Sequence, residues 1–333
     1  MISVVIPAYN AARFIEPAIE SILKQTFQEF EVILVDDGST DNTLEILEHY
    51  AQKDPRIRVI QCTHGGLSCA LNRGISEAQY PWIGRMDADD VALPERFEKQ
   101  LEAARSHPQV VAWGTYAYHI NSYGKILGLA QTGPSTEAEF YRLRNDGHLV
   151  QLIHPTVLLK KEIVLAVGGY KSEFEPVEEL ELFDRMAAYG PTLALPEPLL
   201  LYRVHSGSVS MQRFFYQKQL MRHVVACHRA RISGQPELSF EQFSQSLQQQ
   251  PFWVRWQREL KTSGMYYYRK AGLSVGEDQY LQGGIYLGMS AILNPSYCLP
   301  RLWQQILSPK IQRIFRSHNH LLSQGNNSHD KDF

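Results

Sequence analysis

The sequence is short of several things, and each shortage closes off a class of function. Only four cysteines occur in 333 residues, Cys62, Cys69, Cys227 and Cys298, and no two stand in a C-x-x-C pair. A zinc knuckle is therefore not expected, and a reduced intracellular protein is the simplest reading. No run of 18 apolar residues is present, so no spanning helix is predicted. Met1-Ile2-Ser3-Val4-Val5-Ile6 reads directly as a strand with no basic region ahead of it, so no signal peptide is expected. Charge of one sign is lacking too: the net charge of −2 gives no field that favours nucleic acid. No G-x-G-x-x-G follows the first strand, which argues against a dinucleotide oxidoreductase. A glycine-rich basic triphosphate loop near the N-terminus is missing as well, which argues against a nucleotidyltransferase.

What is present is an ordinary globular composition, 44% apolar, arranged in an alternating rhythm. Ser3–Ile6, Glu31–Val35, Arg56–Ile60, Trp82–Met86 and Val110–Trp113 are short and rich in Val and Ile, and they read as strands. Between them Arg13–Lys24, Asp41–Tyr50, Leu67–Ser76 and Glu95–Ala104 carry helical spacing. Such alternation predicts a parallel sheet covered on both faces. The rhythm then changes. Ala117–Ile120 and Lys125–Leu129 read as a hairpin, Thr156–Leu159 and Leu199–Arg203 as further strands. Glu137–Arg144, Lys161–Val167 and Glu179–Tyr189 read as helices. The sheet domain is expected to span 1–210, in two halves of 1–113 and 114–210. A helical region over 211–316 and a polar, disordered tail over 317–333 are expected to follow.

The densest chemistry lies in Arg85-Met86-Asp87-Ala88-Asp89-Asp90, at the end of an expected strand. Three close carboxylates repel one another, and a divalent cation relieves the repulsion. Such hard oxygen ligands suit Mg²⁺ or Mn²⁺ with substrate phosphates. Alone, an Asp-x-Asp is weak, because it also arises by chance and at helix caps. Three more segments accompany it. Val4-Val5-Ile6-Pro7-Ala8-Tyr9-Asn10 is a strand that is expected to stop at Pro7, since proline cannot continue an interior ladder. That turn lies at the carboxyl edge, where open α/β sheets bind ligands. Tyr9 can stack on a base there, or the segment is a plain turn with Asn10 as cap. A second strand ends in Asp36-Asp37, of which one can accept from a ribose hydroxyl or a base N–H. Gly65-Gly66-Leu67 feeds a helix whose N-terminus is expected to face an anion. On that helix Arg73 either approaches a diphosphate or stays at the surface, and Asn72 is either part of the same contact or polar filler.

In order and spacing these pieces resemble a family 2 glycosyltransferase of the GT-A fold. The resemblance rests on Pro7-Ala8-Tyr9-Asn10, on Val35-Asp36-Asp37-Gly38-Ser39-Thr40-Asp41, on Asn72-Arg73-Gly74 and on Met86-Asp87-Ala88-Asp89-Asp90, and it covers about 1–210. It implies a Rossmann-like mixed sheet flanked by helices, a nucleotide-sugar donor and an inverting transfer to a glycan or lipid-linked acceptor. By position, Pro7, Ala8 and Tyr9 would contact base and ribose, and Asp37 or Asp36 the nucleoside. Asp87 would lie near ribose and metal, and Asp89 would ligate the metal, while Asp90 belongs either here or to a helix cap. The family commonly has Glu-Asp, with Asp as base, where this chain has Glu178-Glu179. Glu179 therefore stands at the base position, and Glu178 is the alternative. The longer side chain is the main support for a second reading, a non-catalytic module of the same fold. Tyr202-Arg203-Val204-His205 resembles the family's loop over the diphosphate. Arg203 would neutralise the leaving group, and His205 would bind metal or phosphate. The resemblance makes UDP-sugar the favoured donor and cell-surface polysaccharide the favoured product, in the cytoplasm.

From Gln279 to His329 there is no acidic residue, while Arg301, Lys310, Arg313 and Arg316 are basic. Leu302, Trp303, Ile306, Leu307, Ile311, Ile314 and Phe315 can line one helical face. This is the pattern of a helix packed on the catalytic domain, or of one lying on the inner face of a membrane through 299–316. Pro295 and Pro300 are expected to limit any continuous helix.

Overall fold

The computed structural model describes residues 1–205 and 207–307, with side chains through Trp303. The chain forms two compact units, Met1–Leu247 and Gln248–Phe333. The expected tail over 317–333 lies outside the described residues, and so do residues 308–316 of the segment expected at a membrane.

The first unit begins with β1 (Ile2–Ala8), α1 (Ile15–Leu23), β2 (Phe30–Asp36), α2 (Thr43–Lys53), β3 (Ile57–Gln61), α3 (Leu67–Glu77) and β4 (Trp82–Arg85). Next come β5 (Val91–Ala92), α4 (Arg96–Ser106), β6 (Ala112–Ile120), β7 (Ile126–Ala130), α5 (Glu137–Asn145), β8 (Leu158–Lys160), α6 (Lys161–Ala166), α7 (Glu178–Met186) and β9 (Thr192–Arg203). It closes with α8 (Val209–Gln212), α9 (Phe214–Ile232) and α10 (Phe240–Gln248). The change of rhythm at 210 thus falls in α8, inside the first unit.

Among the described residues nine strands form one sheet, ordered β3-β2-β1-β4-β8-β6-β9-β5, with β7 paired to β6. β1 is parallel to β2 and β4, and β2 to β3. β8 runs antiparallel to β4 and β6, while β6 and β9 are parallel. The sheet is therefore mixed. β1 and β2 are buried at every residue, as helices on both faces require, which is why they read as unbroken apolar runs. One face packs Ile2, Val4 and Ile6 against Ile15, Ile19 and Phe97. The other packs Val5, Ile33 and Val35 against Leu71 and Ile75 of α3. α3 comes so close that a Cβ on Gly74 would stand 2.5 Å from Val5 Cγ1.

Three expectations need correction, and one strand was not expected at all. Pro7 does not end β1: it pairs in register with Val35, and the strand runs on to Ala8. The reason is local. Val5 O accepts from Met86 N, so odd residues of β1 face β4, and β4 stops pairing at Val5. The missing proline N–H therefore faces no carbonyl that needs it. The segments Val110–Trp113 and Ala117–Ile120 are parts of one strand, β6, which runs through Gly114. The expected strand Thr156–Leu159 begins as a 3₁₀ turn over His154–Thr156 before β8. β5 has two residues, too short to leave a periodic signature.

In the second unit α11 (Phe252–Gly276), α12 (Tyr280–Leu293) and α13 (Pro295–Leu307) follow one another. α12 packs antiparallel on α11: Ser290 Oγ donates to Gly264 O at 2.8 Å, and the Tyr286 ring stacks on Tyr267 at 5.9 Å. Pro295 opens α13, where its missing N–H costs nothing, and the helix continues through Pro300. Among the described residues no helix is long and apolar enough to cross a membrane.

Candidate active site

From β1 the chain goes one way to β2 and β3 and the other way to β4. That reversal opens a crevice at the carboxyl ends of β1 and β4. The loop after β4 sets Asp87, Asp89 and Asp90 there, with one oxygen of each within 4.8 Å of the others. Three arginines already answer these charges. Arg85, almost wholly buried, grips Asp87 with two bonds of 2.7 and 2.6 Å. Arg96, fully buried beneath, donates to Arg85 O at 2.7 Å. Arg203 donates to Asp89 O at 2.7 Å and to Asn121 O at 3.0 Å. Arg85 thus offsets part of the repulsion within the fold, while the charges of Asp89 and Asp87 still press on Asp90. The case for a metal also rests on what the loop leaves open. Asp87 and Asp89 are partly exposed, His205 Nε2 stands 3.2 Å from Asp89 Oδ2, and Asp90 Oδ2 has no hydrogen-bond partner among the described residues. Carboxylates with one imidazole fit Mg²⁺ or Mn²⁺.

Burial raises the Asp87 carboxyl, while Arg85 opposes the rise and Asp89 adds to it. Asp90 rises further, first through burial and then through the charges of Asp89 and Asp87. Burial works against the charge of Arg85, yet Asp87, Tyr170 and Glu178 hold its pKa above the ordinary value. Burial brings Arg96 down to about 9. Asp90 does not cap α4. Its Oδ1 accepts Arg203 N–H at 2.7 Å and ties the loop to the end of β9. Arg203 itself is spent on backbone carbonyls, so it positions the loop rather than standing free for a leaving group.

At the edge of β1 and β2, Tyr9 is exposed and its ring stacks on His64 at 4.2 Å. Asn10 is not a helix cap; in the left-handed region at φ 49°, its Oδ1 accepts Thr40 N–H at 2.8 Å. Asp36 and Asp37 are both buried. Asp36 accepts Ser39 N–H, while Asp37 accepts Gly65 N–H at 2.8 Å and Gly66 N–H at 3.0 Å. Their carboxylates shape the turns around the edge. The N-terminus of α3 does face an anion, but the anion is a side chain: Glu175 Oε1 accepts Ser68 N–H at 2.6 Å. Gly66, at φ 89°, leaves room for that carboxylate. Asn72 and Arg73 are not brought to the carboxylate loop as donor contacts. Asn72 clamps the backbone of Tyr170 from both sides, at 2.7 and 2.8 Å, and Arg73 pairs with Glu77 at 3.0 Å on the surface.

On the remaining side α7 presents its first turn. Glu178 is buried, and its Oε2 has no hydrogen-bond partner among the described residues. Its Oε1 lies 3.8 Å from His154 Nδ1, and the other ring nitrogen of His154 lies 2.9 Å from Tyr170 Oη. Glu179 is half-buried. Burial raises its carboxyl to about 7; Arg85 pulls it down and Asp87 pushes it up. Glu178 is pushed well above the usual range, by burial and then by Glu179. Burial, with Arg85 adding to it, holds His154 neutral. Behind this turn α7 is fixed by Asp184, which binds Arg144, His228 and Arg231 from α5 and α9. The structure thus gathers Asp87, Asp89, Asp90, Glu178, Glu179, Arg203 and His205 around one crevice. Arg85 and Glu175 had no role assigned from the sequence, while His154 and Tyr170 lie in segments, His154-Pro155-Thr156 and Gly168-Gly169-Tyr170, that resemble the family's acceptor side. For Arg85 a signal existed: two residues before Asp87 at a strand end, it shares a face with it.

A family model described as Glycosyl transferase family 2 matches residues 3–164. The O-antigen biosynthesis glycosyltransferase WbnJ of Escherichia coli is 32% identical over 224 residues, 65% of this chain and 84% of that protein. This chain belongs to glycosyltransferase family 2 and is a transferase. Glycosyltransferase GlyG of Streptococcus pneumoniae is 40% identical over 226 residues, 64% of this chain and 74% of that protein. The amylovoran biosynthesis glycosyltransferase AmsE of Erwinia amylovora is 32% identical over 218 residues, covering 64% and 80%. Among solved structures, S. aureus TarS 1-349 in complex with UDP-GlcNAc aligns at a TM-score of 0.55 with 18% identity, covering 89% of this chain and 91% of that one. The mannosyltransferase PcManGT of Pyrobaculum calidifontis, in complex with GDP-Man and Mn²⁺, aligns at 0.52 with 16% identity, covering 99% and 88%. The family 2 glycosyltransferase has the GT-A fold.

Proposed function

We propose that this glycosyltransferase moves a sugar from a nucleotide-diphosphate donor, UDP-sugar first, to a hydroxyl of a glycan or lipid-linked acceptor. Inversion at the anomeric carbon and a need for Mg²⁺ or Mn²⁺ belong to the same reading. The observation that carries it is Glu179. Its carboxyl sits near 7 and close enough to Asp87 and Arg85 to feel both charges. A base poised at the operating pH beside a set of hard ligands is what direct displacement from a diphosphate requires. Supporting the substrate class, relatives are named for O-antigen and amylovoran biosynthesis, and fold neighbours were solved with UDP-GlcNAc and with GDP-Man and Mn²⁺. We place the reaction in the cytoplasm and in cell-surface polysaccharide synthesis.

Pro7, Ala8 and Tyr9 wall the nucleoside, with Asp37 behind His64. Asp89, Asp87 and His205 would hold the metal, which would supply positive charge against the departing diphosphate. Glu179 takes the acceptor hydroxyl proton as attack develops. Glu178, its carboxyl pushed well up by burial, and neutral His154 back that turn of α7. A cavity of about 620 Å³ lined by Glu173, Glu175, Arg213, Phe215 and Tyr216 lies beside the same turn and is our site for the acceptor.

The deciding experiment incubates the protein with a panel of nucleotide sugars in Mn²⁺, Mg²⁺ or chelator and follows release of nucleoside diphosphate. Slow, metal-dependent release from one donor, abolished by Asp89→Ala, supports the reading and names the donor. If no nucleotide sugar binds under any metal condition, the reading falls.

A further inference from the structure

We infer that the second unit seats this enzyme on an anionic lipid surface. The first observation is charge. Residues 248–333 carry ten Lys and Arg against five Asp and Glu, while the whole chain has a net charge of −2. Six of those cations and three of those acids lie within 248–307, and residues 1–247 hold the excess of acid.

The second observation is what that unit exposes. α12 contains no charged residue, and Leu281, Ile285 and Ile292, spaced four and seven apart, stand 83%, 57% and 83% exposed on one side of it. α11 runs past the end of α12, since Ser290 of α12 already meets Gly264. On the overhang Trp253 and Trp256 are exposed, one helical turn apart, with exposed Lys261, partly exposed Arg255 and Arg258, and one acid, Glu259, which pairs with Arg258 at 3.7 Å. α13 adds Leu299 and Trp303, four apart and exposed, beside Arg301. Exposed tryptophans and branched apolar side chains next to Lys and Arg match the boundary between headgroups and acyl chains. Each Lys or Arg near such a surface adds about 1 kcal/mol of attraction.

Charge also chooses between occupants. A second copy would bring an equally basic unit against this one, and like charges across a symmetric contact repel. An anionic bilayer meets both the cations and the apolar rows.

The test mixes the full-length chain with vesicles of phosphatidylcholine alone or of phosphatidylcholine with phosphatidylglycerol, and reads sedimentation and tryptophan emission. The expected result is binding to the anionic vesicles only, a blue shift of emission, and release by high salt. Trp253→Ser with Trp256→Ser is expected to weaken partitioning by about tenfold or more, at an unchanged melting temperature. Lys261→Glu with Arg301→Glu, which leaves the aromatics in place, is expected to weaken it as well. The inference is overturned by absence of binding to anionic vesicles, by equal binding to neutral ones, or by tryptophan variants that bind like the native chain. Dimers in sedimentation equilibrium that are lost in the tryptophan variants, without vesicle binding, would assign the surface to a second copy instead.

Discussion

Glu179 carries two opposed demands in a single carboxyl. Burial lifts it to about 7 from the ordinary 4.5 of a glutamate, so the folded protein holds its proton where the unfolded chain has lost it. In that window the folded state binds more protons, and stability therefore falls as pH rises from about 4.5 to about 7. Glu178, raised by burial too, acts in the same direction. Calorimetry in chelator is expected to show the melting temperature declining across this window. Glu179→Gln removes its share of the penalty, so at pH above about 8 it is expected to melt higher than the native chain while kcat drops by about 10²-fold or more. Native kcat is expected to fall as the medium is acidified below the Glu179 pKa. Arg85 is the other residue to test. Arg85→Met strips the counter-charge from Asp87, and a urea titration is expected to record a loss of about 3–5 kcal/mol. The acidic residues of the crevice were legible in the sequence because they lie where strands end and a helix begins. The contacts among His154, Tyr170 and Asn72 were not, because they join loops and a helix far apart in the chain with no periodic spacing.

Helices and strands are held to the crevice by a few close contacts, and these can be broken one at a time. α3 lies on β1 and β2 through the bare face of Gly74. Gly74→Ala pushes a methyl into Val5, and chemical denaturation is expected to register a cost of about 1–3 kcal/mol. Asp184 joins α7 to α5 and α9 through two arginines and a histidine. Asp184→Ala is expected to cost about 1–3 kcal/mol by the same measurement, because buried His228 and partly exposed Arg144 and Arg231 lose a shared hydrogen-bond acceptor. At this scale the strand–helix alternation of the first hundred residues was readable from period alone. The second half was less so. β6 is interrupted in the sequence by Gly114 and Thr115, yet it continues as one strand because β8 and β9 flank it. Pro7 misled for a similar reason, since only the end point of β4 reveals that its missing donor faces nothing. The glycine loop before α3 promised an anion site and has one, filled by Glu175 from more than a hundred residues away.

Taken whole, the chain carries its excess of acid in 1–247 and its excess of base in 248–333, and it meets part of the charge of its carboxylate loop with Arg85. Circular dichroism in chelator is expected to match that of untreated protein, even where donor turnover is lost. Composition and order of motifs had made the family and fold legible; the division at 247 was not, because helices continue across it. The sheet order has one further consequence. The half expected to hold the donor and the half expected to hold the acceptor are interleaved: β4 lies between β1 and β8, and β5 closes the sheet against β9. A join at residue 113 would cut through β6 and leave β4 beside a foreign strand. Such halves cannot be shuffled like cassettes between enzymes. A new acceptor would have to be written into this chain loop by loop, on a sheet inherited intact.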